Sequence, residues 1–145
     1  MKKILLAILV VCSIVLLCAC SQVRKYYLTC ENGDKIEIAV DGKGGYTTEK
    51  GANLEIFKDG NLVFECKPLK GELYDELVII ANQDKSVNIL DQGTKGNNRY
   101  IFYENKNEYN VVELIYGTST AILFTGTSSK EDAESTYAQI TCMKK

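Results

Sequence analysis

The chain of 145 residues has no histidine, no tryptophan and a single proline, Pro68. Without imidazole it lacks the one side chain that ordinarily titrates near neutrality. It therefore has no His metal ligand, no Ser-His-Asp arrangement and not the commonest general acid/base. The expectation is a domain without catalytic activity, with no cofactor and no metal. Basic residues form no cluster beyond Arg24-Lys25 and Lys144-Lys145, and the formal net charge is -2. Nucleic-acid binding needs a concentrated basic face, so nucleic acid is not an expected partner. The glycine-rich stretch Asp41-Gly42-Lys43-Gly44-Gly45 lacks the Gly-Lys-Ser/Thr of a phosphate loop and is followed by strand-like Tyr46-Thr47-Thr48. Neither Asp41 nor Asp59-Gly60-Asn61 has the alternating oxygen ligands of a calcium loop. Glu72, Asp75 and Glu76 are close in sequence, but carboxylates along one helix are usually solvated.

The longest apolar run is at the start. Lys2 and Lys3 precede an unbroken stretch from Ile4 to Leu17, which closes in Leu17-Cys18-Ala19-Cys20. It falls short of the about 20 apolar residues that span a bilayer and has the cationic start and small-residue end of an export signal. The segment resembles the lipobox of bacterial lipoproteins. Leu17 stands three places before the modified cysteine, Ala19 one place before it, and Cys18 occupies the tolerant middle place. The resemblance implies a diacylglyceryl thioether on Cys20, cleavage between Ala19 and Cys20, and N-acylation of the new terminus with palmitate-type chains. Two long chains anchor stably, since each buried methylene contributes about 0.8 kcal/mol. The implied partner is membrane lipid, and the implied place is a cell membrane or outer membrane, facing outside the cytoplasm. An ordinary secretory signal and an uncleaved helix are the alternatives.

Residues 1–19 are thus expected to be a signal peptide, 20–25 a short lipidated tether, and 26–145 one extracytoplasmic α+β domain. Such a tether holds the first strand within roughly 20 Å of the anchor, at 3.6 Å per extended residue. Arg24 and Lys25 read either as headgroup contacts or as a solvated pair. Beyond the signal, Cys30, Cys66 and Cys142 remain. None has metal-site spacing. Outside the cytoplasm they allow one disulfide in any of three pairings. Cys30 with Cys142 is preferred because chain ends are often tied together, and a buried free thiol is the alternative reading for Cys66.

The domain reads as hairpins followed by a meander. Tyr26–Cys30 and Lys35–Val40 flank an Asn32-Gly33 turn, and Asn53–Lys58 and Leu62–Cys66 flank Asp59-Gly60. Pro68 is expected to break the second hairpin's pattern. Leu73, Leu77, Ile80 and Ala81 then fall at helical spacing over residues 72–82, with a β-branched centre that keeps a strand at 76–81 open. A short strand at Val87–Leu90, a Gly-rich turn, and strands at Arg99–Glu104, Tyr109–Tyr116 and Thr120–Thr125 follow. Ser128 to Glu131 offers a capping box, and Ala133, Tyr137 and Ile140 give the C-terminal helix one apolar stripe. Thr141-Cys142-Met143 then reads as an edge strand. The expected fold is α+β: an antiparallel sheet with a middle helix and a capped C-terminal helix packed on it.

Tyrosine gives large contact area at small entropic cost. Tyr100, Phe102 and Tyr103 are the candidate binding face, with core packing as the competing reading. The order of elements resembles PsbP-like α+β domains. Tyr27 to Gly33 is faintly similar to the Cys-bearing first strand of lipoprotein-type lysozyme inhibitors, although their Ser-Gly-containing loop is missing. The expected function is a binding or accessory domain acting near the membrane surface, with an envelope or membrane protein as a further partner. An inhibitor protecting the envelope from a wall hydrolase is the alternative.

Overall fold

The structure is a computed structural model that describes residues 22–126 and 128–145. The signal segment, with Ala19 and Cys20, lies outside the described residues. Strands β1 (Val23–Thr29) and β2 (Lys35–Asp41) form the first hairpin, with Leu28 opposite Ile36. Gly33 takes φ 87°, as the turn requires, and the Cys30 amide donates to the Asp34 carbonyl at 2.8 Å. Because β1 begins at Val23, Arg24 and Lys25 are strand residues and not tether. Lys25 Nζ lies 2.9 Å from Glu37, so it is engaged within the domain.

β3 (Tyr46–Lys50), β4 (Leu54–Lys58) and β5 (Asn61–Lys70) follow, with Asp59 and Gly60 at φ 51° and 81° in the second hairpin turn. After helix α1 (Glu72–Gln83) come β6 (Val87–Lys95), β7 (Asn98–Asn105), β8 (Glu108–Leu114) and β9 (Thr120–Gly126). Helix α2 (Lys130–Ala138) and β10 (Ile140–Lys144) complete the domain. The strands do not form one sheet. β3-β4-β5-β9-β8-β7-β6 make a seven-stranded sheet, and β1-β2-β10 make a separate three-stranded one. Both are antiparallel throughout. The fold is α+β and predominantly antiparallel sheet.

The inner face of the larger sheet packs against the smaller sheet and α2 through Ile56, Phe64, Val111, Phe124, Ile38 and Ile140. The outer face carries a second core under α1, made of Tyr74, Ile101, Tyr103, Val112 and Ala121. Each fully buried large apolar side chain contributes about 1.5–3 kcal/mol, so these two layers are the main source of cohesion.

Four expectations change. Pro68 does not end its strand: β5 runs to Lys70 and pairs Pro68 with Ile122 of β9. β4 has already ended opposite Cys66, so β5 is an edge there on its other side and tolerates a missing donor. β6 does not stop at Leu90. A bulge between Ile89 and Asp91 restores its register and carries it to Lys95. Residues 72–83 are helix, but the stripe packed on the sheet is the buried Tyr74 with the half-buried Leu77, Val78 and Ala81, while Leu73 and Ile80 are exposed. Finally, the cap of α2 is Ser129, which accepts from the Asp132 amide at 3.1 Å and donates to its carboxylate at 3.0 Å. The cap therefore falls one residue after the expected Ser128, and Asp132 takes the place expected of Glu131 by accepting from the cap hydroxyl.

Candidate functional site

The pleat of β7 divides the expected aromatic face. Side chains alternate along a strand, so Tyr103 joins Ile101 in the outer core and is buried, while Tyr100 and Phe102 face inward. Phe102 is itself only 4% exposed. An exposed face of Tyr100, Phe102 and Tyr103 therefore does not exist: two of the three are core residues, on opposite sides of the sheet. Tyr100 is half-buried and reaches a cleft.

That cleft, of about 320 Å³, lies between α2 and the β6–β7 hairpin and is lined by Asp91, Lys95, Tyr100, Phe102, Glu134 and Tyr137. The Tyr100 and Tyr137 rings meet at 5.6 Å. Tyr137 in turn packs edge-on to Phe124 at 5.8 Å, which fixes the aromatic wall to the core. The Tyr100 hydroxyl donates to Asp91 Oδ2 at 2.6 Å, orienting the carboxylate. Gly93 lies directly across from Tyr100 in the β6–β7 pairing, and a Cβ there would sit in ordinary contact with the ring at 3.5 Å.

Lys95, the last residue of β6, occupies the inner end of the cleft. Its ammonium donates to the Tyr137 carbonyl and stands 3.9 Å from the Tyr137 ring centroid. α2 has no basic residue in its last turn, and Lys95 supplies the cation that the negative helix end favours. Burial lowers the Lys95 pKa, with the charge of Glu113 opposing that shift.

Glu113 is 1% exposed on the inner face of β8. One carboxylate oxygen accepts from Asn98 Nδ2 at 2.7 Å and the other from the Tyr137 hydroxyl at 2.9 Å. Asn98 also donates to the Cys142 carbonyl at 2.8 Å and accepts from the Tyr116 amide at 2.9 Å. It thereby joins β7, β8 and β10. Burial raises the Glu113 pKa, against the opposing pull of Asn98, Tyr137 and Lys95; burial and the nearby carboxylate push the Tyr137 phenol well up. A second cavity of about 460 Å³, lined by Asn98, Glu113, Tyr116 and Cys142 among others, opens on the far side of Lys95. The lysine stem therefore stands between two cavities, one mainly aromatic and one bordering the buried carboxyl.

Cys30, Cys66 and Cys142 are all free thiols. The expected Cys30–Cys142 bond is not formed, for a geometric reason. Cys142 pairs with Ile38 in the middle of β2, whereas Cys30 follows Thr29, which pairs with Lys35 at the start of β2 on its other side. Two strand spacings alone come to about 9.6 Å, beyond the roughly 7 Å Cα limit for a disulfide. Burial drives the Cys66 and Cys142 thiols upward in pKa, which makes them poor nucleophiles.

Sequence reasoning missed Lys95, Asn98 and Glu113, and took Tyr137 only as a packing residue. One signal was present: Glu113 is a lone charge within the apolar run Val111–Tyr116. Among the described residues no group of His, Cys, Asp or Glu is arranged to hold a metal ion, and no helix is long and apolar enough to cross a membrane. No family model, curated protein or solved structure matches the chain, so none of the three resemblances drawn from the sequence gains support from that direction.

Proposed function

We propose that this chain is a lipid-anchored extracytoplasmic binding or accessory protein without catalytic activity, held near the membrane through Cys20 and acting through the cleft between α2 and the β6–β7 hairpin. The observation that carries this reading is the cleft. It combines two tyrosine rings, a half-buried ammonium and two carboxylates in a volume of about 320 Å³, the mixture of apolar wall and a few placed polar groups that distinguishes ligand sites. Glu113, the carboxyl whose pKa burial raises, already accepts from Asn98 and Tyr137, which suits a structural acceptor better than a free acid or base. Membrane lipid is one partner, through the anchor, and an envelope or membrane protein is the second. The protein resides at the cell membrane or outer membrane, outside the cytoplasm. A wall-hydrolase inhibitor is the alternative reading, and purified domain that leaves lysozyme-type activity unchanged would remove it.

Fractionation tests the anchor. Cys20→Ala protein is expected to leave the membrane fraction while still being exported; unchanged membrane retention would remove the anchor from the account.

A further inference from the structure

Charges of opposite sign stand at the two ends of the aromatic cleft. Asp91 and Lys95 are four residues apart on the same side of β6, about 13 Å of strand. Glu134 reaches the same cleft from α2. Lys95 has three N–H donors; one is engaged by the Tyr137 carbonyl. No hydrogen bond joins it to Glu113, whose carboxylate is turned to Asn98 and Tyr137 and acts on the ammonium only through its charge. The ammonium is thus partly desolvated and short of acceptors, a state that its lowered pKa also reflects. At the other end, the Asp91 carboxylate accepts from Tyr100, a neutral donor that fixes its position without neutralising its charge. The paired rings of Tyr100 and Tyr137 lie along the cleft with these charges.

Resting on the reading of this cleft as the binding site, we propose that it takes an elongated zwitterion of short-peptide size, with the ligand carboxylate on Lys95 and its ammonium between Asp91 and Glu134. A compact α-amino acid carries its two charges too close together to reach both ends. A dipeptide or tripeptide spans about 7–11 Å at 3.6 Å per residue, which suits charges set at opposite ends of the cleft. A simple anion meets the Asp91 carboxylate, which has only the neutral Tyr100 hydroxyl beside it, and a simple cation meets Lys95, so each is rejected by the charge that the zwitterion satisfies, while Glu134, 3.6 Å from Lys130, adds a weaker negative field. The tyrosine rings then cover the apolar middle of the ligand.

Calorimetric titration of the full chain in detergent with trialanine, N-acetyl-trialanine amide, free alanine and a chitin trisaccharide tests the assignment. Trialanine is expected to bind one to one, with at least a tenfold loss for the blocked peptide and for alanine. Asp91→Asn with Glu134→Gln, two exposed positions whose replacement leaves the fold intact, is expected to weaken trialanine binding at least tenfold. Lys95→Met is expected to do the same. Equal binding of free and blocked peptide, or of the trisaccharide alone, would overturn the zwitterion while leaving the cleft as a binding site if Tyr100→Ala abolishes it. Binding of none of the four would remove both the zwitterion and the cleft.

Discussion

On its outer face the seven-stranded sheet meets α1 through Tyr74, Ile101, Tyr103, Val112 and Ala121, with no charged side chain in that core. On its inner face the same strands carry Asn98 and Glu113 into the sandwich beside Phe102 and Phe124. The outer layer is what antiparallel strands and one amphipathic helix form when only apolar burial acts. The inner layer holds a carboxyl whose burial is costly unless every oxygen finds a donor. Asn98 and Tyr137 provide those donors, and the resulting network joins β7, β8, α2 and β10. The cleft and the second cavity both border this network. The two faces therefore serve different ends: α1 closes the fold, while α2 closes it and shapes the cleft, and β10 borders the second cavity.

The largest effect should come from breaking the inner apolar contacts. Phe124 is fully buried between Phe64 and Tyr137, and Phe124→Ala is expected to cost about 3–5 kcal/mol in denaturant unfolding. Val78→Ala, on the half-buried stripe of α1, should cost only about 1 kcal/mol.

Glu113 gives the next effect and one that depends on pH. Its pKa is raised in the folded state above an ordinary 4.5, so the native protein holds this proton more tightly than the unfolded chain. The contribution is complete below pH about 4.5 and is lost as pH rises through the folded value, at about 1.4 kcal/mol per unit of separation. Asp34, Glu37 and Asp132 shift the other way, and they lose their contribution as pH falls. Comparison with Glu113→Gln isolates the first effect, because the Tyr137 hydroxyl can turn to accept from the glutamine amide. The stability difference should move in favour of Gln as pH rises above 4.5. A pH-independent difference would mean that the carboxyl is not held in a desolvated site.

A smaller effect separates two neighbouring serines. Ser129→Ala should cost about 1 kcal/mol by removing the cap of α2, whereas Ser128→Ala should leave thermal unfolding unchanged. At the bottom of the scale, Asp75→Asn breaks an exposed pair with Arg99 at 3.2 Å and should leave stability unchanged within error, since such pairs are screened by solvent.

These contrasts also mark what a sequence can express. The Asn32-Gly33 and Asp59-Gly60 turns were legible because the positive φ they need is met by particular residues at particular places. A serine cap for α2 was legible but wrong by one position, since Ser128 and Ser129 are chemically alike and only the backbone decides between them. Pro68 and the long β6 were misread because tolerance of a proline depends on where the neighbouring strand ends, and continuation past Leu90 depends on a bulge opposite β7. The candidate site was least legible. Asn98 and Cys142 are 44 residues apart and Lys95 and Tyr137 are 42 apart, so no local pattern links them. The aromatic run Tyr100–Tyr103 pointed to the correct strand, but its pleat sends Tyr103 away from the cleft.

Photocrosslinking from the cleft in native membranes tests the central claim most directly. A benzophenone amino acid in place of Ala138, an exposed residue of α2 that lines the cleft, would be compared with the same probe in place of Glu76 on α1 and with Cys20→Ala protein carrying the Ala138 probe. The account predicts an envelope or membrane adduct from Ala138 that is absent from the Glu76 probe and lost when Cys20 is replaced. Identical adducts from both probes, or an adduct indifferent to Cys20, would contradict a lipid-anchored protein that binds through this cleft.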